Sequence, residues 1–547
     1  MKKSKKSKSL LILILFGCLN QVLVNSQTIQ PIERSIGKLH ISIDPRMELL
    51  TTVQLLSKYP MIIRALPYSK ELLDYFESMS SHAAVLMTDT LEQKNGFSYD
   101  APPSFMLHLS QLHALETKFA LTQELILRSG GGDNLEQYRK LLKHFAEISN
   151  FETFWNSKIP FYNQILDLTV ADIGEMDLVK DLENYFNESH QGYSITISPS
   201  FIGGYGHNIT DADGNVTIYG CVTTTNLKDN VPYLGGTSLR DLIWHEFGHS
   251  FANVTDKNFE RAASLNKLFE PIKEVMARQA YRTWRTCLNE HVVRAVNVRL
   301  FDLHLGSQQS KELLNRELGQ HYIYIEPLIE KLKEFETQRD KYNVTFSEFY
   351  PELLNMLDSL QKIEYWKQFN MNFNGPITGT FPERQLAIIY PTCDLDTASL
   401  KIAQNQASLI FDFINQQREN LTLIADTTAL KTDISEYGIM AFGTIESNLF
   451  LKRYASTFPF RIENQMIYAE KEYTDKDIKF ITCVPNPLNP EKGMSIFTAL
   501  SNKALQGMSD IFYKDVFQIL SYDYVLFLNS DTVISSGFYK KAEEWRF

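Results

Sequence analysis

Cysteine is scarce in this sequence, with five among 547 residues. They lie far apart, and no two have the Cys-x-x-Cys spacing of structural zinc sites. Their positions are Cys18, Cys221, Cys287, Cys393 and Cys483. This sparse set excludes a small disulfide-held scaffold, so the fold must be stabilised by hydrophobic burial. A chain of this length predicts two or more separate cores.

Positive charge is also in short supply. Lys and Arg total 54 against 65 Asp and Glu, which gives a formal net charge of -11. Binding to DNA or RNA depends on concentrated positive charge. The charge balance therefore predicts no nucleic-acid partner.

No apolar run beyond the N-terminus approaches the ~20 residues that a membrane-spanning helix needs. Residues 1–26 predict a secretion signal, because a lysine-rich start precedes the apolar run Leu10–Gly17 and Ser26 ends a suitable cleavage site. The alternative is a lipid anchor at Cys18, since Leu15-Phe16-Gly17-Cys18 resembles a bacterial lipobox. Both interpretations predict an exported protein, whether periplasmic, outer-membrane-associated or secreted, with no transmembrane segment in the mature chain.

The periodicity of apolar residues divides the remaining chain in two. Residues 27–425 are mostly helical in pattern, with a β-hairpin predicted between 193 and 222. A polar stretch at 426–436 is the candidate linker, and strand and helix patterns alternate through 437–547. We therefore predict an α+β protein, with a helix-rich domain at 27–425 and a small α/β domain at 437–547.

The most informative motif is His245-Glu246-Phe247-Gly248-His249. Ser238 and Asp241 have the approximate spacing of a capping box, which predicts a helix beginning near this point. On a helix, a separation of four residues places both imidazoles on one face, where they can share one tetrahedral ion. Glu246 projects to the side of that face, within reach of a metal-bound water.

This arrangement suits zinc-dependent hydrolysis. Zinc lowers the pKa of its bound water from near 16 to about 7, so Glu246 can act as the general base. The bare pattern also arises by chance, on the order of once or twice per hundred such proteins. Its position on a predicted capped helix, with uncharged Phe247 and Gly248 inside it, favours the metal site.

A third ligand is required. The metzincin pattern is excluded because Ala252 and Thr255 replace its glycine and histidine. Asn289-Glu290, in a long helical segment, resembles the Asn-Glu of the gluzincin metallopeptidases, and this resemblance implies that Glu290 completes a site for one Zn²⁺. His291, Glu270 and Glu274 remain alternative ligands.

A second interpretation of this segment is a simple surface ion pair. Glu290 and Arg294 have i, i+4 spacing, and an exposed pair of this kind contributes little to stability. If Glu290 is instead a ligand, we expect Arg294 to position a carboxylate near the site.

The stretch from Ile41 to Tyr350 resembles an uncharacterised family of exported bacterial proteins, known as a domain of unknown function. The resemblance rests on the opening residues 43–50 and on two internal motifs, at 245–250 and 290–295. Residues 437–547 resemble an α/β module attached to various secreted bacterial hydrolases, with Asn486-Pro487-Leu488-Asn489-Pro490 as its clearest mark.

Together these features predict an exported zinc metallopeptidase of gluzincin type, whose zincin-like domain at 27–425 acts on a peptide or protein substrate. Two rival hypotheses are a zinc hydrolase for non-peptide amides or esters, and a zinc-containing binding protein without turnover. A Tyr or His donor to the developing oxyanion is also expected. The candidates are Tyr205, Tyr322, His321 and Tyr390.

Overall fold

A computed structural model describes residues 29–547 with short gaps at 60, 64–65, 370–372, 374, 382, 416–419, 514–519, 521, 530–531 and 540–545. The predicted signal segment 1–26 and the lipidation candidate Cys18 lie outside the described residues. Within the described part, no helix combines the length and apolarity that crossing a bilayer requires. The fold mixes helices and sheets, so the predicted α+β class is confirmed.

The N-terminal lobe contains a five-stranded sheet in the order β1-β2-β3-β5-β4. Its strands are β1 (Ile32–Ile36), β2 (Leu39–Ile43), β3 (Gly192–Ile197), β4 (Gly204–Thr210) and β5 (Val216–Val222). β2, β3 and β5 are parallel neighbours, whereas β4 pairs antiparallel with β5 and is the last strand on its side. A small ribbon follows, formed by β6 (Asn226–Lys228) and β7 (Val231–Tyr233).

The predicted hairpin is present but spans less than 193–222. Strands β4 and β5 form it, and residues 211–215 are its turn. β3 pairs in parallel with β5 and is not part of the hairpin.

Helices cover this sheet and form most of the lobe's core, which extends from Ile29 to Leu360. Those before the zinc motif are α1 (Pro45–Leu56), α2 (Pro67–Phe76), α3 (Ala83–Asn95), α4 (Ala101–Leu107), α5 (Gln123–Arg128), α6 (Gly132–Ile148), α7 (Phe151–Ile173) and α8 (Leu178–Phe186). The motif helix and those after it are α9 (Gly236–Ala252), α10 (Phe259–Ala263), α11 (Lys273–Arg278), α12 (Trp284–His304), α13 (Ser307–Gly319), α14 (Ile325–Tyr342) and α15 (Phe346–Lys362).

The C-terminal lobe is built on a seven-stranded sheet in the order β17-β16-β14-β15-β10-β8-β9. Its strands are β8 (Leu386–Tyr390), β9 (Leu421–Ala425), β10 (Gly438–Phe442), β14 (Lys479–Asn486), β15 (Asn489–Ala499), β16 (Tyr524–Asn529) and β17 (Thr532–Gly537). The remaining elements are α16 (Thr397–Asn415), α17 (Asp426–Ala429), α18 (Leu449–Tyr454) and a small sheet of β11 (Arg461–Glu463), β12 (Met466–Tyr468) and β13 (Glu472–Tyr473). Separate hydrophobic clusters cover its two faces, which explains why β10 is buried at every residue.

This sheet corrects the predicted domain boundary. β8 and β9 lie N-terminal to residue 426, yet they pair in parallel within the C-terminal sheet. The stretch 426–436 was predicted as a linker because it has few apolar residues, but it contains α17, and Asp426 is fully buried. The α/β lobe therefore begins before Leu386, and the helical lobe ends well short of residue 425.

The buried carboxyl group of Glu48, in the N-terminal lobe, makes the stability of the fold depend on pH. Glu48 on α1 is fully buried, and it accepts a hydrogen bond from Tyr68, whose hydroxyl lies 2.7 Å from that of Tyr162. Burial raises the pKa of Glu48 to about 7. Because the unfolded chain ionises first as the pH rises, the stabilisation that protonated Glu48 contributes is fully present below pH 4.5 and is lost as the pH rises from 4.5 to about 7.

We expect Glu48→Gln to remove this loss, since glutamine keeps an acceptor for Tyr68 without a titrating charge. The free energy of unfolding at pH 8 should rise by about 3 kcal/mol relative to the wild type, with little difference at pH 4. Urea denaturation at the two pH values measures it, and Glu147→Gln on the exposed face of α6 is the matched control. An equal gain at both pH values would contradict the assignment.

Candidate metal centre

The helix that carries the zinc motif begins earlier than the sequence indicates. α9 begins at Gly236, and its N-cap Gly235 makes no side-chain cap, so the capping box predicted for Ser238 and Asp241 is wrong. Instead, the backbone N–H of Gly236 donates to Asp172 Oδ2 of α7 at 2.7 Å. A carboxylate from a neighbouring helix therefore satisfies one of the N–H groups that a helix start leaves open.

Close packing of α9 against α12 brings the third ligand to the motif. A Cβ at Gly248 would lie 2.8 Å from Val293 Cγ2, so only glycine permits this approach. Asn289 Oδ1 accepts from the backbone N–H of Val254 at 2.9 Å and ties α12 to the end of α9. Asn289 thus has a structural role, and it fixes the register that places Glu290 opposite the two histidines.

The three predicted ligands come together in one cluster. Nε2 of His249 lies 3.2 Å from Nε2 of His245, and the Glu290 oxygens lie 3.6 Å from His245 Nε2 and 3.3 Å from His249 Nε2. Tetrahedral zinc with bonds of about 2.0–2.1 Å separates its ligand atoms by roughly 3.3–3.4 Å. Within the described part of the chain, this is the only cluster of three such side chains that could hold a metal ion.

Glu290 and His245 are in the protonation states that metal binding requires. Burial acts to raise the pKa of Glu290, but His249 and Arg294 outweigh it and hold that pKa well below its usual range. Burial is the chief reason that the pKa of His245 falls to about 3, so this imidazole is neutral. Burial acts to lower the pKa of His249, but Glu290 outweighs it and raises that pKa to about 9, so a metal ion would displace a proton from this imidazole. Nδ1 of His249 is hydrogen-bonded to Asn253 Oδ1 at 3.0 Å, which leaves Nε2 facing the cluster.

The alternative ligands lie elsewhere. His291 is fully buried, its Nδ1 donates to the carbonyl of Cys287 at 2.8 Å, and it packs against Tyr322. Glu270 and Glu274 line a separate cavity and are not part of the cluster.

Glu246 lies beside the ligands on α9, against the last strand of the sheet. Its side chain is 7% exposed, and burial raises its pKa to about 7. A Cβ at Gly204 would lie 2.6 Å from Glu246 Oε1, and one at Gly206 would lie 2.5 Å from the Glu246 carbonyl oxygen. These two glycines therefore let β4 pass directly over the carboxylate.

A chain of partly and fully buried ion pairs holds Glu290, the candidate third ligand. Arg294 contacts Glu290 Oε2 at 3.1 Å and Glu317 Oε2 at 2.7 Å. Arg316 contacts the other Glu317 oxygen at 2.6 Å and Asp241 Oδ2 at 2.7 Å. Asp241 lies one turn before His245 on α9, so the chain of charges runs from the third ligand back to the motif helix. The surface-pair interpretation of Glu290 and Arg294 is therefore wrong, because both side chains are largely buried.

Glu317→Gln should weaken zinc binding, because Arg294 would lose the carboxylate that holds it against Glu290. Loss of such outer partners typically costs roughly ten- to hundredfold in metal affinity. Competition with a zinc chelator measures the change. Glu312→Gln removes the same charge from the same helix and should have no effect. Equal zinc affinity for Glu317→Gln and the wild type would show that Arg294 is positioned without Glu317.

The four candidates for an oxyanion donor occupy different places. Tyr205 lies on β4 near the Glu246 charge, which contributes to the upward shift of its pKa behind the larger effect of burial. Tyr322 is buried beneath the Arg294 guanidinium, 4.4 Å from its ring centre, and His321 lines the separate cavity. Tyr390 ends β8 and packs against the core of the C-terminal sheet.

Sequence reasoning missed Tyr281. Burial raises the pKa of this phenol and the charge of Glu290 raises it further, while the phenol is hydrogen-bonded to Arg294 and Tyr322. It therefore lies beside the third ligand, although it precedes α12 in a loop. Among 26 tyrosines, the sequence carries no signal that singles it out.

Comparison with known proteins identifies the family of this chain. Neither the curated proteins nor the solved structures include a match to the chain. A family model described as Domain of unknown function (DUF4932) matches residues 39–356, more than half of the chain and including the whole cluster. The chain therefore belongs to the DUF4932 family, as the resemblance between Ile41 and Tyr350 predicted.

Proposed function

We propose that this protein is a zinc-dependent peptidase in which His245, His249 and Glu290 hold one zinc ion and Glu246 is the general base. The observation that carries the proposal is the cluster of His245, His249 and Glu290 beside a buried carboxylate, in which the two Nε2 atoms lie 3.2 Å apart and the two Glu290 oxygens lie 3.3 and 3.6 Å from them. Two histidines and one glutamate are a donor set of catalytic zinc sites, in which a fourth position stays open for water or substrate.

The chemistry is divided between the metal and the chain. Zinc in such a site supplies Lewis acidity, which acidifies water and polarises a carbonyl group. Glu246 accepts the proton of the attacking water on its carboxylate and delivers it to the leaving amine nitrogen. Arg294 and Glu317 keep Glu290 oriented, and Asn253 keeps Nε2 of His249 turned toward the zinc.

A polypeptide is the favoured substrate because of where β4 runs. It is the last strand on its side of the sheet, and it passes over Glu246 at Gly204 and Gly206. An extended peptide can add to such an edge through backbone hydrogen bonds, which presents its peptide bonds to the site in a regular register. A small amide or ester would not need this strand.

We also propose that the activity lies outside the cytoplasm, because residues 1–26 have the pattern of a secretion signal. The chain is then either cleaved after Ser26 or attached to lipid at Cys18.

A peptide library tests the activity directly. Zinc-loaded protein should release new amino termini from a mixed library, and removal of zinc by a chelator should stop it. Hydrolysis of model esters or non-peptide amides without any peptide cleavage would favour the rival hydrolase. Peptide binding without cleavage by the zinc-loaded wild type would favour the binding protein.

A further inference from the structure

A large cavity opens beside the metal centre, between the two lobes. Its volume is about 1220 Å³, above the roughly 300–1,000 Å³ of typical small-molecule pockets. Three of its lining residues lie next to the metal centre. Gly203 precedes Gly204, which lies over Glu246, and Leu242 lies one helical turn before His245. Arg294 contacts Glu290. Residues of the C-terminal lobe, including Glu436 and Lys492, form the opposite wall.

Acidic side chains outnumber basic ones in the lining. Asp241 and six glutamates face three cationic side chains. The glutamates are Glu270, Glu274, Glu312, Glu383, Glu436 and Glu491. They come from both lobes.

The cations of the lining are already paired with carboxylates. Arg294 is held by Glu290 and Glu317, and Arg316 by Glu317 and Asp241. Lys492 lies 3.0 Å from Glu383, and both side chains are largely buried. The charge that remains to attract a ligand is therefore negative, and an anionic ligand would meet repulsion from most of the wall.

Apolar surface lies among these charges. Leu242, Val275, Leu313 and Phe373 contribute to the lining, and Tyr522 of the C-terminal lobe donates to Glu312 at 2.9 Å across the interface. Acidic groups interleaved with apolar ones suit long cationic side chains, whose methylene stems pack while their heads meet carboxylates.

We infer that this cavity receives the substrate chain on one side of the cleaved bond and selects segments rich in lysine or arginine. The occupant's identity as substrate rests on the proposed peptidase function. Its cationic character rests on the lining alone. The C-terminal lobe is then part of the binding site, because it supplies the outer wall and two of the exposed glutamates, Glu436 and Glu491.

The test measures binding separately from cleavage. Zinc-loaded full-length protein carrying Glu246→Gln is titrated with two fluorescent peptides of equal length, which differ only in having lysine or glutamate at alternate positions. We expect the lysine peptide to bind more tightly, with an advantage that shrinks as salt is added.

Adding Glu270→Gln and Glu436→Gln, one from each wall, should weaken binding of the lysine peptide by roughly three- to tenfold at low ionic strength. The matched control adds Glu147→Gln and Glu175→Gln, which remove two exposed charges outside the cavity and should change nothing. Equal affinity for the two peptides, or equal weakening by the two pairs of substitutions, would overturn the inference.

Failure of this inference and failure of the peptidase proposal give different results. If the wild type cleaves no peptide while the lysine peptide still binds through Glu270 and Glu436, the cavity assignment stands and the peptidase proposal falls. If cleavage occurs without any preference between lysine and glutamate segments, the peptidase proposal stands and the cavity assignment falls.

Discussion

Glu246→Gln is expected to abolish peptide hydrolysis while zinc remains bound. Glutamine fills the same space beneath Gly204 and Gly206 but cannot accept the proton of the attacking water. Positioned acid–base groups contribute about 10²–10⁴-fold to rate, so kcat should fall by at least that lower figure. Zinc content should be unchanged, because the three donors of the cluster are His245, His249 and Glu290.

The variant should also fold well. Glu246 is buried, and replacing a buried ionisable group with a neutral one of the same shape removes a desolvation cost. Loss of activity can therefore be separated from loss of structure by comparing zinc content and urea denaturation with those of the wild type. Turnover near the wild-type rate, with zinc retained, would rule out Glu246 as the base.

The second large effect that we expect is the loss of zinc when one of its proposed ligands is replaced. His245→Ala, His249→Ala and Glu290→Ala should each lose zinc, and the loss should exceed the roughly tenfold to hundredfold typical of outer partners. The reason is geometric, since each substitution removes one of three side chains whose facing atoms lie 3.2, 3.3 and 3.6 Å apart, close to the spacing of ligand atoms in a tetrahedral site. Zinc analysis after dialysis, followed by chelator competition, measures the change.

Matched controls come from the residues that rivalled Glu290 in the sequence. Glu270→Gln and Glu274→Gln should keep zinc, because both side chains lie in the cavity and outside the cluster. His291→Gln should also keep zinc, although it lowers stability by breaking a buried hydrogen bond to Cys287. If Glu290→Ala bound zinc as tightly as the wild type and His291→Gln lost zinc, the third ligand would be His291 and not Glu290.

The motif helix could be predicted because its signal is local. The four-residue spacing of His245 and His249 fixes their common face on any helix, and the structure places both in the cluster. Glu290 came from a family resemblance, since no local rule specifies which of several acidic residues a second helix will present. The structure supplies the missing reason in Gly248, which lets α12 approach closely enough for Glu290 to reach the histidines.

Features that depend on distant pairing could not be predicted. Asp172 of α7 caps α9 although it is 64 residues away from Gly236 in the chain. Ser238 and Asp241 have approximately the spacing of a capping box, but they lie inside the helix and do not cap it. β8 and β9 join the C-terminal sheet by parallel pairing, which leaves no mark in a local pattern, so the boundary after residue 425 was misplaced.

X-ray absorption at the zinc edge of the purified wild-type protein tests the central claim most directly. The account predicts one zinc per chain with a shell of nitrogen and oxygen ligands at about 2.0–2.2 Å, in which two imidazoles contribute and no sulfur is present. A sulfur-containing shell, or a shell with fewer than two imidazoles, would contradict the assignment of His245, His249 and Glu290 as the zinc site.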